Sequence, residues 1–356
     1  MHSKRLSFLG MVILLIIFIV LSGCDSNDDL VTEQVEPDEL IELEPEPEGA
    51  TDDPLEGKVY IQVEEQIIKV EANPDEGFHW DYYLFIPQLF VPEDSNIFLL
   101  VSPNNTGKGH EDIKVHDAAA YTDVSKSWNN SIARSLEVPM LVPVFPREFG
   151  KYYTHQLERD VLLITDGSLK RIDLQLIAMV ENARELLNSK GLTTKEKILL
   201  NGFSASGNFS IRFAILHPHL VRAVASGGIN GLTTFPTTEW EGKSLRYSIG
   251  IADLEEITGI QFDIEQYREV AQFIYMGSLD DNDTVRDGAL YLSAEDIKLI
   301  RDITSEDVQE RWLISQHIYD ELDIPAEFKT YEGVGHAISN EMLNDVVAFF
   351  SKHIKD

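Results

Sequence analysis

The amino-acid sequence predicts an α/β fold, with a mostly parallel central sheet covered by helices on both faces, in one domain. Three observations carry that expectation. Short apolar runs alternate with longer segments of helical periodicity. The stretch from Lys197 to Leu216, KILLNGFSASGNFSIRFAIL, reads as a buried strand, a sharp turn and a helix. No internal repeat is evident, and 356 residues suffice to bury a large core.

The first residues stand apart from that domain. Lys4 and Arg5 precede an apolar run, Leu6 to Leu21, too short for a comfortable membrane span and suited to the core of a signal peptide. It ends in Leu21-Ser22-Gly23-Cys24, and Cys24 is the only cysteine of the chain. The motif resembles the lipobox of bacterial lipoproteins. The resemblance implies that residues 1–24 are a signal peptide, that Cys24 is acylated, and that the protein faces outside the cytoplasm from a cell membrane. An uncleaved N-terminal anchor is the alternative. A lone cysteine forms no intramolecular disulfide, and its place in the leader excludes a catalytic thiol.

Residues 25–56 hold fourteen Asp and Glu, no Lys or Arg, and the repeat Glu44-Pro45-Glu46-Pro47. Such a segment cannot bury enough apolar surface to fold and reads as a disordered acidic tether. Residues 57–356 remain as the folded domain. The chain carries a formal charge of −32, of which about −20 belongs to this domain. That balance argues against a nucleic-acid partner and against electrostatic docking on anionic lipid.

Within the domain, residues 58–70 alternate as an edge strand and 79–87 form a second strand ended by Pro87. A buried-type strand at 95–102 runs into Pro103-Asn104-Asn105-Thr106-Gly107. A helix over roughly 115–136 leads to strand 138–145. An amphipathic helix follows through Ile172, Leu176, Val180, Ala183 and Leu187, closed by Gly191. Beyond the strand–turn–helix come strand 221–228, an insertion over about 229–268, strand 272–278, a helix near 305–322, strand 326–333 and a last helix from about 340. Trp240 and Phe262 make the insertion a candidate lid, with ordinary packing as the alternative.

Function in parallel sheets sits in loops beyond the C-terminal strand ends, and three such loops carry reactive residues. Gly202-Phe203-Ser204-Ala205-Ser206-Gly207 matches the G-x-S-x-G elbow, except that Ser206 replaces the last glycine and Gly207 stands behind it. In that turn Ser204 is lifted above the sheet edge, and the Ala205 N–H points where an oxyanion forms. Strand 272–278 runs into Gly277-Ser278-Leu279-Asp280-Asp281-Asn282-Asp283, and strand 326–333 into Gly333-Val334-Gly335-His336. The order Ser, Asp, His, each just after a strand, resembles the α/β-hydrolase superfamily over about residues 75–352. The acid loop is similar to that of prolyl-oligopeptidase-type enzymes. Such enzymes often carry a β-propeller, for which this chain has no room.

The resemblance implies a serine hydrolase in which His336 is the general base and an aspartate orients it. Asp280, Asp281 and Asp283 all lie within reach. Three residues past Gly277 is the distance that lets a carboxylate return over the sheet, which favours Asp280 and leaves Asp281 pointing away and Asp283 on substrate or in solvent. A second oxyanion donor is expected from the backbone of Asn104 or Asn105, in the loop after strand 95–102. Phe203, Arg147, Tyr153 and His155 are candidate substrate contacts, with loop packing as the alternative. The acid-rich run from Asp280 to Asp287 lacks EF-hand spacing, so neither metal nor cofactor is expected. The substrate expected is a small or polymer-derived carboxylic ester. A peptidase or amidase using the same groups, and a binding lipoprotein on the same scaffold, are the alternatives.

Overall fold

The apolar runs expected as strands pair into one eight-stranded sheet. The structure, a computed structural model, describes residues 59–149, 154–287 and 292–355, all within the unit Leu55–Asp356. The lipobox with Cys24, the acidic tether and Tyr153 lie outside the described residues.

In chain order the elements are β1 (Tyr60–Val63), β2 (Gln66–Val70), β3 (Tyr82–Ile86), β4 (Leu89–Pro92), β5 (Asn96–Ile97), β6 (Leu100–Val101), α1 (Ile113–Lys126), α2 (Trp128–Leu136) and β7 (Met140–Pro143). Next come α3 (Arg159–Leu162), α4 (Ile172–Ser189), β8 (Thr193–Thr194), β9 (Ile198–Phe203), α5 (Ala205–Leu216), β10 (Val221–Gly227), β11 (Glu239–Trp240) and β12 (Lys243–Ser244). The chain ends with α6 (Leu254–Thr258), α7 (Ile264–Glu269), β13 (Ala271–Gly277), α8 (Thr284–Asp287), α9 (Ala294–Ile303), α10 (Val308–Glu321), β14 (Ala326–Tyr331) and α11 (Asn340–Ile354).

The main sheet runs β14-β13-β10-β9-β6-β7-β3-β2. From β7 to β14 every pair is parallel, while β3 pairs antiparallel with both β7 and β2. Burial explains the composition. The central strands β9, β10 and β13 are buried on both faces and almost wholly apolar or small. The edge strands β2 and β14 are only partly buried and carry lysines.

Period-two alternation then divides the core. Leu200, Val224 and Ile274 face Leu176 and Met179 of α4, Phe209 and Phe213 of α5, and Trp312 of α10. Their chain neighbours Leu199, Ala223 and Phe273 face Ala120 and Val124 of α1, Ile132 of α2, and Val346 and Phe350 of α11.

Several expected boundaries are corrected. The run 58–70 divides: β1 pairs with β4 in a separate ribbon, while β2 joins the main sheet. Strand 95–102 divides likewise, because β5 pairs with β8 and β6 with β7 and β9. Helix 115–136 breaks at Ser127, whose extended backbone (ψ 178°) stops α1 while its hydroxyl caps the Asn129 and Asn130 N–H groups of α2. The insertion is built into the body: Phe235, Leu245, Tyr247 and Tyr267 are core residues, and Trp240 and Phe262 pack against them.

Candidate active site

Ser204 stands between β9 and α5 with φ 61° and ψ −123°, a backbone region that non-glycine residues rarely occupy. Surrounding contacts fix it there. The Ser204 N–H donates to Gly227 O at 2.8 Å, which ties the turn to β10. A Cβ on Gly202 would lie 2.2 Å from Ser206 O, and one on Gly207 would lie 2.7 Å from Gly227 O. Glycine at both positions is therefore a matter of space. Ser206, in the place of the motif's last glycine, closes the turn: its hydroxyl accepts from Phe203 N–H at 3.0 Å and donates to Phe203 O at 2.9 Å. The Ala205 N–H opens α5, where an amide has no intrahelical acceptor.

β13 and β14 bring the other two loops together. Gly277 pairs with Tyr331 in register, and a Cβ on it would lie 2.0 Å from Val334 O. The ladder continues past the strands, with Ser278 N–H to Tyr331 O and Leu279 N–H to Val334 O, both 2.9 Å. Asp280, 1% exposed, is thus aimed at His336, whose Nδ1 lies 2.9 Å from Oδ2 and 3.1 Å from Oδ1. A buried carboxylate accepts there, so Nδ1–H donates and Nε2 keeps its lone pair. The His336 side chain is 27% exposed, and its ring centroid lies 4.9 Å from that of Phe203, beside the elbow. No hydrogen bond joins Ser204 Oγ to His336 Nε2; the amide Nδ2 of Asn282 stands 3.4 Å from that nitrogen instead. Such contacts often tighten only with substrate bound.

The neighbouring acids take other places. Asp281 is exposed. Asp283 is not in solvent. It is buried, caps Val285 N–H at 3.0 Å and accepts from Arg311 Nη2 at 2.7 Å. Arg311, fully buried, also donates to the carbonyl of Asn230, so the pair holds the acid loop onto the loop after β10. A buried guanidinium requires such a counter-charge.

The loop after β6 lies against the elbow: Asn105 Nδ2 donates to Phe203 O at 3.2 Å. Asn104 is buried, its carboxamide bonded to both N–H and O of Phe145. Neither the Asn104 nor the Asn105 backbone N–H finds an acceptor among the described residues. Of the two readings open for Arg147 and His155, substrate contact and loop packing, the structure supports packing. Both are buried behind this loop. Arg147 Nη1 reaches Asn105 Oδ1 at 3.4 Å, and His155 donates from Nε2 to Phe145 O at 2.7 Å while Nδ1 accepts from Thr106 N–H at 3.5 Å. Burial first, and the nearby Arg147 charge second, push the His155 pKa down to about 3, so its ring is neutral. His116 completes the support, with Nδ1 2.7 Å from Thr106 Oγ1.

Beside the elbow opens a cavity of about 470 Å³, lined by Asn105, Phe203, Ser206, Asp123, Trp128 and Ile338 among others. Phe203, named from the sequence as a substrate contact, forms part of its wall. Sequence reasoning assigned no role to Asp123 or Trp128, because both fell inside one supposed helix. The signal available was Ser127, a capping residue between them.

No protein-family model matches the chain, and no curated protein matches its sequence. Among solved structures, the chain is similar to poly(aspartic acid) hydrolase-1 from Sphingomonas sp. KT-1, with TM-score 0.52, 14% identity and coverage of 82% of this chain and 98% of that one. It is also similar to LpqC, poly(3-hydroxybutyrate) depolymerase from Bordetella parapertussis, with TM-score 0.50, 16% identity and coverage of 82% and 92%. The architecture shared with them is the α/β-hydrolase fold.

The buried neutral imidazole makes a prediction about stability. His155 titrates near the ordinary 6.5 when unfolded and near 3 when folded, so between those values the unfolded chain binds a proton that the folded chain does not. Stability is therefore lost as pH falls from about 6.5 towards 3, at up to about 1.4 kcal/mol per unit. In urea titrations at pH 7 and pH 5, His155→Gln should lose less stability on acidification than the wild type. An equal loss in both would contradict the assignment.

Proposed function

We propose that the chain is a serine hydrolase of carboxylic esters, anchored by lipid outside the cytoplasm. The observation that carries the chemical part is the His336–Asp280 pair, 2.9 Å apart, standing beside a strained serine turn at the strand ends of one parallel sheet. A serine hydroxyl is a weak nucleophile until a base takes its proton. His336 Nε2 is the base for Ser204 and returns the proton to the leaving alkoxide, while Asp280 holds the tautomer and stabilises the imidazolium. The Ala205 N–H, with that of Asn104 or Asn105, receives the developing oxyanion. Water then cleaves the acyl-enzyme by the same steps in reverse. The similar structures bear the names of a hydrolase and a depolymerase, which accords with this chemistry.

A panel of acyl esters against peptide amides tests the substrate class, and faster turnover of amides would replace the ester reading with a peptidase. Full-length Ser204→Ala should lose nearly all turnover. Asp280→Asn should lose about 10⁴ in kcat with its circular dichroism unchanged. Asp283→Asn should instead lower stability, by up to several kcal/mol, because Arg311 stays buried without its counter-charge. Its folded fraction should retain turnover within about tenfold. A large kcat loss in folded Asp283→Asn beside a small one in Asp280→Asn would reverse the two roles.

Anchoring rests on Leu21-Ser22-Gly23-Cys24 following an apolar run. Multiple acyl chains give stable attachment where a single chain is marginal. Cys24→Ser should move the protein out of alkaline-washed membranes. Retention there would show an uncleaved helix as the anchor.

A further inference from the structure

We propose that the cavity beside the elbow binds the ammonium-bearing part of a cationic ester, recognised by the Asp123 carboxylate and the Trp128 indole. The proposal deepens the hydrolase reading and rests on it for the site of cleavage. The cavity, about 470 Å³, is the right size for part of a small ligand. Its wall includes Phe203 and Ser206, which flank the serine, and Ile338, two residues beyond His336. Ser204 and His336 are not themselves in that wall, so a group held there sits beside the elbow, one residue from the serine along the chain. Ala118 and Ala119 of α1 keep the space open.

Asp123 is the sole charged residue among those lining the cavity. Its carboxylate is fixed rather than free to swing out: Oδ2 accepts from Ser102 Oγ at 3.0 Å and Oδ1 from Asn129 Nδ2 at 2.8 Å. Asn129 is held in turn by Asn201 Nδ2 at 2.5 Å, from within β9. Ser102 and Asn201 are fully buried, so this polar floor is anchored in the sheet. All these partners are neutral, and no Lys, Arg or His pairs with Asp123 among the described residues. Desolvation pushes its carboxyl above the usual range, a cost that an arriving cation would relieve.

The rest of the cavity selects the kind of cation. A metal ion requires several oxygen or nitrogen ligands, and the lining offers one carboxylate. Trp128 and Phe203 instead present aromatic surface, which attracts an organic ammonium group through the ring quadrupole. The strongly negative domain raises the local concentration of such ligands.

The test is equilibrium titration of the full-length chain with butyltrimethylammonium and with its uncharged isostere, in which a tert-butyl group replaces the trimethylammonium. The ammonium should bind about tenfold or more tightly than the isostere. Asp123→Asn should remove most of that preference, and Trp128→Leu should reduce it severalfold. Equal binding of the two probes by the wild type, or an unchanged preference in folded Asp123→Asn, would overturn the proposal. If Asp123→Asn does not fold, Ala119→Leu narrows the cavity without touching the polar floor. It should weaken the ammonium alone or with the isostere, and undiminished ammonium binding would equally overturn the proposal. Binding does not depend on Ser204 chemistry, so failure of the hydrolase reading appears separately, as absence of turnover of neutral and cationic esters alike.

Discussion

A carboxylate buried to the extent of Asp280 needs donors, and supplying them requires two loops to be held side by side against water. The edge of the parallel sheet meets that requirement. β13 and β14 stay in register to their last residues, and the hydrogen-bond ladder runs on into the loops. The Ser278 hydroxyl accepts from Gly333 N–H at 2.9 Å. Gln309 Nε2 closes the outer side by donating to Asp280 O at 2.8 Å. The close passage of Val334 O over Gly277 leaves no room for a side chain there. His336 is therefore positioned by backbone pairing, with one side-chain bond completing its orientation.

The same logic holds at the elbow. The backbone at Ser204 is strained, and α5, every residue of which is buried, keeps it so. Strain of this kind persists only where packing over-determines it. Behind the neighbouring loop, Asn104, His155, His116 and Arg147 form a buried polar layer that fixes Asn105 against Phe203 O. These residues act on the loop from within and leave the cavity wall to Asn105, Phe203, Trp128 and Asp123.

Much of this was legible in the sequence, for identifiable reasons. The buried strands β9, β10 and β13 are continuous apolar runs, a pattern that burial on both faces imposes. The choice of Asp280 followed from its distance beyond Gly277, and in the structure that carboxylate faces His336. Long-range pairing was not legible. Nothing local tells that β5 leaves β6 to join β8, or that Asp283 meets Arg311 across 28 positions. For Arg147 and His155 the sequence left substrate contact and loop packing both open, because polar residues in a loop after a strand suit either role. Their partners include Thr106 and Asn105 from the loop after β6, together with Phe145 at the start of their own loop. Asp123 was hidden for a similar reason, its partners being Ser102 on another strand end and Asn129 beyond the helix break.

The central claim is that His336 activates Ser204 as a covalent nucleophile. A fluorophosphonate reacts rapidly with a serine that a base has activated and slowly with an ordinary one. Treating the full-length protein with such a probe and mapping the adduct by peptide mass spectrometry tests the claim directly. The account predicts one adduct, on the peptide containing Ser204, formed rapidly in the wild type and slowed by orders of magnitude in His336→Ala. An adduct on another residue, or labelling of Ser204 that is equally fast without His336, would contradict it.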